Sequence, residues 1–252
     1  SALARAKERG HRLFICTGRS APEVYPRFFD LGFEGIVGGA GGYAAVGSTV
    51  LLDERMPAEH VEALTRMWEE LGAFYVWQGP DQMGPSRGYL DFFVPRAGEN
   101  PQDWVEYGES VTPFVVDIEG GSFTKVTAYV RPENASMERI SAALPDGYRA
   151  IIGSVGAAGY VPFEVLPTRL SKAVGIEAVC EHLGIPLSRS VAIGDSNNDV
   201  EAVARAGVGI SIGDGCEALV EVADIVAPAV GDDGFAWALA AAGLIDEAPN
   251  PA

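Results

Sequence analysis

Ala192-Ile193-Gly194-Asp195-Ser196-Asn197-Asn198-Asp199 decides how the chain is read. Ser190 to Ile193 reads as a buried strand, and Asn198 to Arg205 as the helix that follows it. Two carboxylates and an amide crowd the C-terminal end of that strand. In open α/β sheets ligands bind at that end. Hard oxygen ligands there suit Mg²⁺, which takes one or two carboxylates together with substrate phosphate. Helix capping accounts for one Asp or Asn at such a place, not for the whole set beside a glycine.

The same strand-helix rhythm runs outward from this stretch. Ser171 to Leu183 reads as a helix closed by Gly184, Val208 to Ile212 as a strand, Glu217 to Val222 as a helix, Ile225-Val226 as a strand and Phe235 to Ala242 as a last helix. Toward the start, Ala2 to Arg9 is a helix ended by Gly10. Leu13 to Cys16 and Gly35 to Val37 are short apolar strands, and the pieces around Gly47-Ser48 form a hairpin. Ser20-Ala21-Pro22-Glu23 reads as a capping box opening a helix. Continuously apolar strands alternating with helices predict right-handed crossovers and a doubly wound parallel sheet, a Rossmann-like α/β core.

The middle differs. A helix over Pro57 to Leu71, with Met67, Trp68 and Leu71 on one face, precedes strand-like segments at Phe74–Trp77, Tyr89–Val94 and Phe114–Ile118. Residues 124–130 alternate at period two, which predicts one buried and one wet face in an antiparallel sheet. The expected organisation is a core of residues 1–56 plus 166–252 interrupted by an α+β cap domain at 57–165.

Composition narrows the function. Over 252 residues, 18 Lys and Arg against 35 Asp and Glu leave a net charge of −17, a field that repels nucleic acid and anionic lipid. No stretch approaches the roughly 20 apolar residues of a membrane span, and the N-terminus has no signal-peptide pattern. Cys16, Cys180 and Cys216 are odd in number and far apart, which argues for a reducing compartment. The expectation is a cytoplasmic protein, a monomer or weak dimer, with neither nucleic acid nor membrane as partner. His11, His60 and His182 lack metal-ligand spacing. Cys16 lies in a core strand run with no histidine nearby and reads as a small buried residue.

Two weaker signals accompany the first. Thr17-Gly18-Arg19-Ser20 follows the strand ending at Cys16, and a hydroxyl, a glycine and a helix start together suit an anion. Lys172 stands, after Ser171, at a helix N-terminus, where cations are disfavoured unless they answer to something else.

The order of the three, a strand with Thr17-Gly18-Arg19, a large insertion, Ser171-Lys172 and then Gly194 to Asp199, resembles the haloacid-dehalogenase-like phosphatases, most closely their Cof-type sugar-phosphate phosphatases with a large α/β cap. Phe163 to Pro167, Ala206 to Gly213, Ala223 to Val226 and Asp233-Gly234-Phe235 follow the same pattern. The resemblance covers essentially the whole chain. It implies a Mg²⁺-dependent phosphatase of small phosphorylated metabolites. Thr17, Gly18, Lys172 and Asn198 would bind the phosphoryl group, Asp195 the metal, and Asp199 would hold the lysine. Arg19 would lie in the cap cleft. Lys172 and Asp199 are the catalytic candidates.

Two departures qualify the resemblance. The family's Asp-x-Asp-Gly-Thr loop, source of the nucleophile, is absent. Asp117-Ile118-Glu119-Gly120-Gly121-Ser122 imitates it but lies within the insertion. The expectation is therefore a nucleophile in a segment of about 20–25 residues upstream of Ser1, one strand plus a loop, a core sheet gapped at its centre, and residues 1–252 inactive by themselves. A non-catalytic phosphometabolite-binding protein and a phosphomutase of the same fold are the alternatives. The second departure is Gly38-Gly39-Ala40-Gly41-Gly42, where relatives carry an Asn-Gly pair.

Overall fold

The computed structural model describes residues 1–97, 101–213 and 215–246. In chain order the strands are β1 (Phe14–Cys16), β2 (Gly35–Gly38), β3 (Tyr43–Val46), β4 (Thr49–Asp53), β5 (Phe74–Gln78), β6 (Met83–Pro85), β7 (Lys125–Val130), β8 (Tyr148–Ile152), β9 (Val161–Pro167), β10 (Val191–Gly194), β11 (Val208–Ile212) and β12 (Ile225–Ala227). The helices are α1 (Ala2–Glu8), α2 (Arg27–Asp30), α3 (Ala58–Glu70), α4 (Tyr89–Phe93), α5 (Pro101–Val111), α6 (Met137–Ala143), α7 (Lys172–His182), α8 (Val200–Arg205), α9 (Glu217–Val222) and α10 (Gly234–Ala241). They form two compact units, one of Ser1–Gly18, Pro26–Leu52 and Ser171–Ala252, the other of Arg19–Tyr25 and Asp53–Leu170. Among the described residues no helix is long and apolar enough to cross a membrane.

The first unit is the α/β core. Its strands form two sheets, β1-β2-β3-β4 and β10-β11-β12. Pairing is parallel between β1 and β2 and throughout the second sheet, and antiparallel between β2 and β3. β1 and β10 each end a sheet. β1 is only partly buried along its length, while β10 buries Ala192 and Gly194. Ile210, Ile212 and Ala227 pack with Ala238 of α10, while Ala192 packs with Ala202, Val203 and Leu219 of α8 and α9. α7 lies against Val37 and Ala44 through Val179. Its Gly175 permits the approach, because a Cβ there would stand 2.3 Å from Val37 Cγ1.

The expected capping box at Ser20 forms, but it opens a single 3₁₀ turn, Ala21–Glu23, not a longer helix. Val24 is extended, and Pro26 disfavours the helical conformation at Tyr25. An α-helix resumes only at Arg27.

The second unit holds an antiparallel sheet, β6-β5-β7-β9-β8. Tyr75, Trp77, Val126, Ala128, Phe163 and Val165 share one face, covered by Val61, Leu64 and Trp68 of α3 and Ile140 of α6. Three expectations need correction here. Tyr89–Val94 is the helix α4, not a strand: Tyr89, Phe92 and Phe93 recur at helical spacing and bury together against Tyr107, Val111 and Tyr129. Phe114–Ile118 is not a strand either. A 3₁₀ turn ends at Phe114, one bridge joins Val115 to Met83, and Phe114 to Val116 are exposed. Lastly, β7 has no wet face, since all six of its residues are buried.

The polar face of β7 is instead a row of mutual partners. Lys125, 2% exposed, donates to Glu164 Oε2 at 2.6 Å, and Thr127 Oγ1 donates to Gln78 Oε1 at 2.7 Å. Burying both partners of an ion pair gains little, but removing one strands the other. Lys125→Met should therefore cost about 3–5 kcal/mol in urea unfolding, with most of it recovered in Lys125→Met/Glu164→Leu. Equal stability of the two variants would mean that the pair is not buried as described.

Candidate functional site

The turn after β1 is tied to the turn after β2. The Thr17 N–H donates to the Val37 carbonyl at 2.8 Å, and the Thr17 carbonyl accepts from the Ala40 N–H at 3.3 Å. Gly39, Ala40 and Gly41 are all left-handed, with φ of 57°, 56° and 96°. Ala40 bears the strain that glycine avoids. Gly41 is required sterically as well, because a Cβ there would lie 1.9 Å from the Ser171 carbonyl oxygen. The glycine-rich stretch thus lets this turn press on the N-terminus of α7, where Lys172 begins the helix.

Lys172 is 5% exposed. Its Nζ donates to Asn198 Oδ1 at 2.7 Å and to Asp199 Oδ1 at 2.5 Å. Asp199, 6% exposed, uses its other oxygen to accept from the Asp195 N–H at 3.3 Å, the Ser196 N–H at 3.2 Å and Ser196 Oγ at 3.0 Å. Ser196 Oγ also lies 2.9 Å from Asn198 Oδ1. Gly194 allows this closure, since a Cβ there would stand 2.3 Å from Asp199 Cβ. Gly18 joins the cluster: a Cβ on it would be 3.2 Å from Asn198 Nδ2. Gly18, Lys172, Asn198 and Asp199 are therefore brought together from three places in the chain, with Thr17 adjoining through Gly18.

Asp195 differs from Asp199. It is exposed at the end of β10, and its carboxylate has no partner among the described residues. Among those residues no three His, Cys, Asp or Glu side chains stand together to cage a cation. One open carboxylate fits Mg²⁺, which keeps several waters and shares its ligands with substrate phosphate.

Arg19 has partners within its own unit. It groups with the second unit, donates from Nη1 to the Glu23 carbonyl at 3.2 Å and lies over the rings of Tyr25 and Trp104. Glu23, also there, accepts from Ser20, Gln78 and Tyr107. Its capping role was legible in the sequence; its distant partners were not. His60 is placed for structure, with Nδ1 3.0 Å from the Tyr148 hydroxyl.

A family model for haloacid dehalogenase-like hydrolases matches residues 1–239. YkrA of Bacillus subtilis (strain 168), which carries the name of a phosphatase, is 25% identical over 243 residues, 96% of this chain and 89% of that protein. A solved structure from Geobacillus kaustophilus HTA426 is 26% identical with a TM-score of 0.73, over 97% of this chain and 90% of that one. The structure of BT4131, described as a HAD subclass IIB sugar phosphatase, matches with a TM-score of 0.75 at 21% identity, over 97% of this chain and 90% of that one.

Cys16, beside Thr17, tests the electrostatics of the cluster. Burial pushes its thiol up to about 12, outweighing the opposite pull of the Lys172 ammonium. The thiolate, the reactive form, is thus scarce at neutral pH. Alkylation of Cys16, followed by peptide mass spectrometry, should still be accelerating between pH 9 and about pH 10. A rate that levels off near pH 9, as an ordinary thiol does, would contradict this environment.

Proposed function

The chain belongs to the haloacid dehalogenase-like hydrolase family, and on that premise we propose that it is a Mg²⁺-dependent phosphatase of small phosphorylated metabolites, with sugar phosphates as the substrate class. The observation that carries the proposal is the buried ammonium of Lys172 fixed between Asn198 and Asp199 beside Gly18. A buried cation needs a counter-charge. Asp199 supplies one, which leaves the ammonium set in place for a phosphate dianion to share.

Phosphoryl transfer asks the protein mainly for positioning and charge stabilisation. In this reading Lys172 neutralises charge on the phosphoryl oxygens. The Gly18 backbone, the Thr17 hydroxyl and the Asn198 amide orient them. Asp199 balances the charge of Lys172 and holds it in place. Asp195 is the carboxylate for Mg²⁺, which when bound polarises the phosphoryl oxygens. The cap-type insertion bears on which ester is taken, and the sugar-phosphate class is supported by the Cof-type resemblance.

None of these side chains suits the phosphoryl acceptor. Lys172 and Asp199 are committed to each other, and an acceptor must be a nucleophile that water can regenerate. The proposal assigns that step to an aspartate outside residues 1–252.

Two measurements test the reading. Residues 1–252 should bind phosphate esters without turning them over, and a version carrying the natural upstream sequence should hydrolyse a panel of sugar phosphates. Equal turnover by both would place the acceptor within this chain, and activity confined to phosphoproteins or nucleic acids would refute the substrate class. In the active version, Asp195→Asn should raise the Mg²⁺ concentration for half-maximal rate by roughly tenfold or more with the melting temperature unchanged. A Mg²⁺ titration identical to that of the unaltered protein would remove Asp195 from the metal site.

A further inference from the structure

We propose that Ser196 is a positioning residue: with Lys172 it fixes the Asn198 amide so that Nδ2 faces Gly18 as a donor to a phosphoryl group, given the functional reading above in which the Thr17-Gly18 turn takes the phosphate. Gly18, Lys172, Ser196, Asn198 and Asp199 all belong to the first unit.

The orientation of the amide follows from its partners. Lys172 Nζ stands 2.7 Å from Asn198 Oδ1. An ammonium has three donors and no acceptor, so only the amide oxygen can face it at that distance. The reverse orientation would set an NH₂ group against the ammonium. Nδ2 therefore turns away from the lysine. It lies over Gly18, where a Cβ would stand 3.2 Å from it. Neither of its N–H groups has a partner among the described residues. Two donors thus stand at the glycine of the turn, where a side chain would crowd them.

Lys172 alone does not fix the plane of the amide. The last torsion of an asparagine is broad, and a single bond to Oδ1 leaves it free to turn. Ser196 supplies a second bond. Its Oγ lies 2.9 Å from Asn198 Oδ1 and 3.0 Å from Asp199 Oδ2. A hydroxyl has one proton and rotates to suit its acceptors, and this one stands between two. Asp199 has other donors, namely Lys172 Nζ and the Asp195 and Ser196 N–H groups. Asn198 Oδ1 has only Lys172 and Ser196 among the described residues. Losing the Ser196 hydroxyl therefore takes little from Asp199 and much from the Asn198 amide.

A phosphoryl group carrying negative charge offers acceptors, and N–H bonds to it are charge-assisted. An amide held with its donors outward meets it without reorganising. The backbone of Ser196 is extended, with φ −133° and ψ 169°, a conformation that suits a β-branched residue. Threonine is therefore the conservative replacement.

The test uses the full chain with its natural upstream sequence and inorganic phosphate as the probe, in calorimetry and in NMR of the isotope-labelled side-chain amides. The amide pair that disappears in Asn198→Asp is that of Asn198. Phosphate should shift this pair in the unaltered protein. In Ser196→Ala phosphate should bind about tenfold more weakly and shift the pair less, and Ser196→Thr should restore both. Asn198→Asp keeps an acceptor for Lys172 and Ser196 but sets a second acceptor at Gly18, so phosphate should bind about a hundredfold more weakly. This variant carries the test if Ser196→Ala does not melt cooperatively. An Asn198 pair that phosphate leaves unmoved overturns the proposal. So does full phosphate affinity in Ser196→Ala or Asn198→Asp, the mark of a merely structural role, and so does a loss that Ser196→Thr does not restore. Lys172→Ala separates the two readings. If it loses phosphate while Ser196→Ala keeps it, the positioning role alone falls. If it keeps phosphate, or if the unaltered protein binds none, the functional reading fails and the positioning role with it.

Discussion

The Lys172 ammonium is buried with one carboxylate for charge balance, and the placement of the loops around it follows from that constraint. An unpaired charge at such depth is costly enough that a partner is obligatory. The partner, Asp199, lies 27 residues along the chain, and the 2.5 Å bond joins the start of α7 to the loop after β10. That loop closes tightly because Gly194 has no side chain to displace Asp199. The lysine reaches it because Gly41 lets the neighbouring turn abut Ser171. Two glycines and one ion pair therefore set the position of Asn198, and through it the approach of Gly18.

Much of the core was readable because its strands obey a single rule. Parallel strands covered on both faces show up as continuous apolar runs; Val208 to Ile212 is such a run and is buried from Gly209 on, whereas Leu13 to Cys16 has the same pattern in an edge strand that is only partly buried. The gathering of Gly18, Lys172, Asn198 and Asp199 was readable for a related reason: polar residues stand at the strand ends, where hydrophobic runs stop. The insertion was harder. Tyr89-Leu90-Asp91-Phe92-Phe93 satisfies a strand pattern and a helix pattern about equally, and the apolar partners that settle the matter lie on α5 and β7. Composition does not encode such distant choices.

The polar face of β7 illustrates the same limit. Alternation announces two faces but does not say what covers the second. Lys125 and Thr127 read as solvated, yet Glu164 and Gln78 arrive from strands on either side of β7 and satisfy them. Glu23 continues that pattern, since Gln78 bonds to both Thr127 and Glu23. A serine and a glutamate three apart give the cap away; a glutamine 55 residues downstream does not.

The division of the chain into units has a kinetic side. The second unit is built largely from one continuous stretch, Asp53–Leu170, whereas the first waits for Ser171 onward to supply β10, β11 and α7. Contacts close in sequence form soonest, because less chain entropy is lost in closing them. On a ribosome the insertion therefore has its sheet strands available before the domain it interrupts has its second sheet. Segment Arg19–Tyr25 is the exception. It is synthesised early, but its anchors Gln78 and Tyr107 emerge 55 and 84 residues after Glu23. The turn that carries Arg19 is thus among the first parts of the protein to be made and among the later ones to be locked.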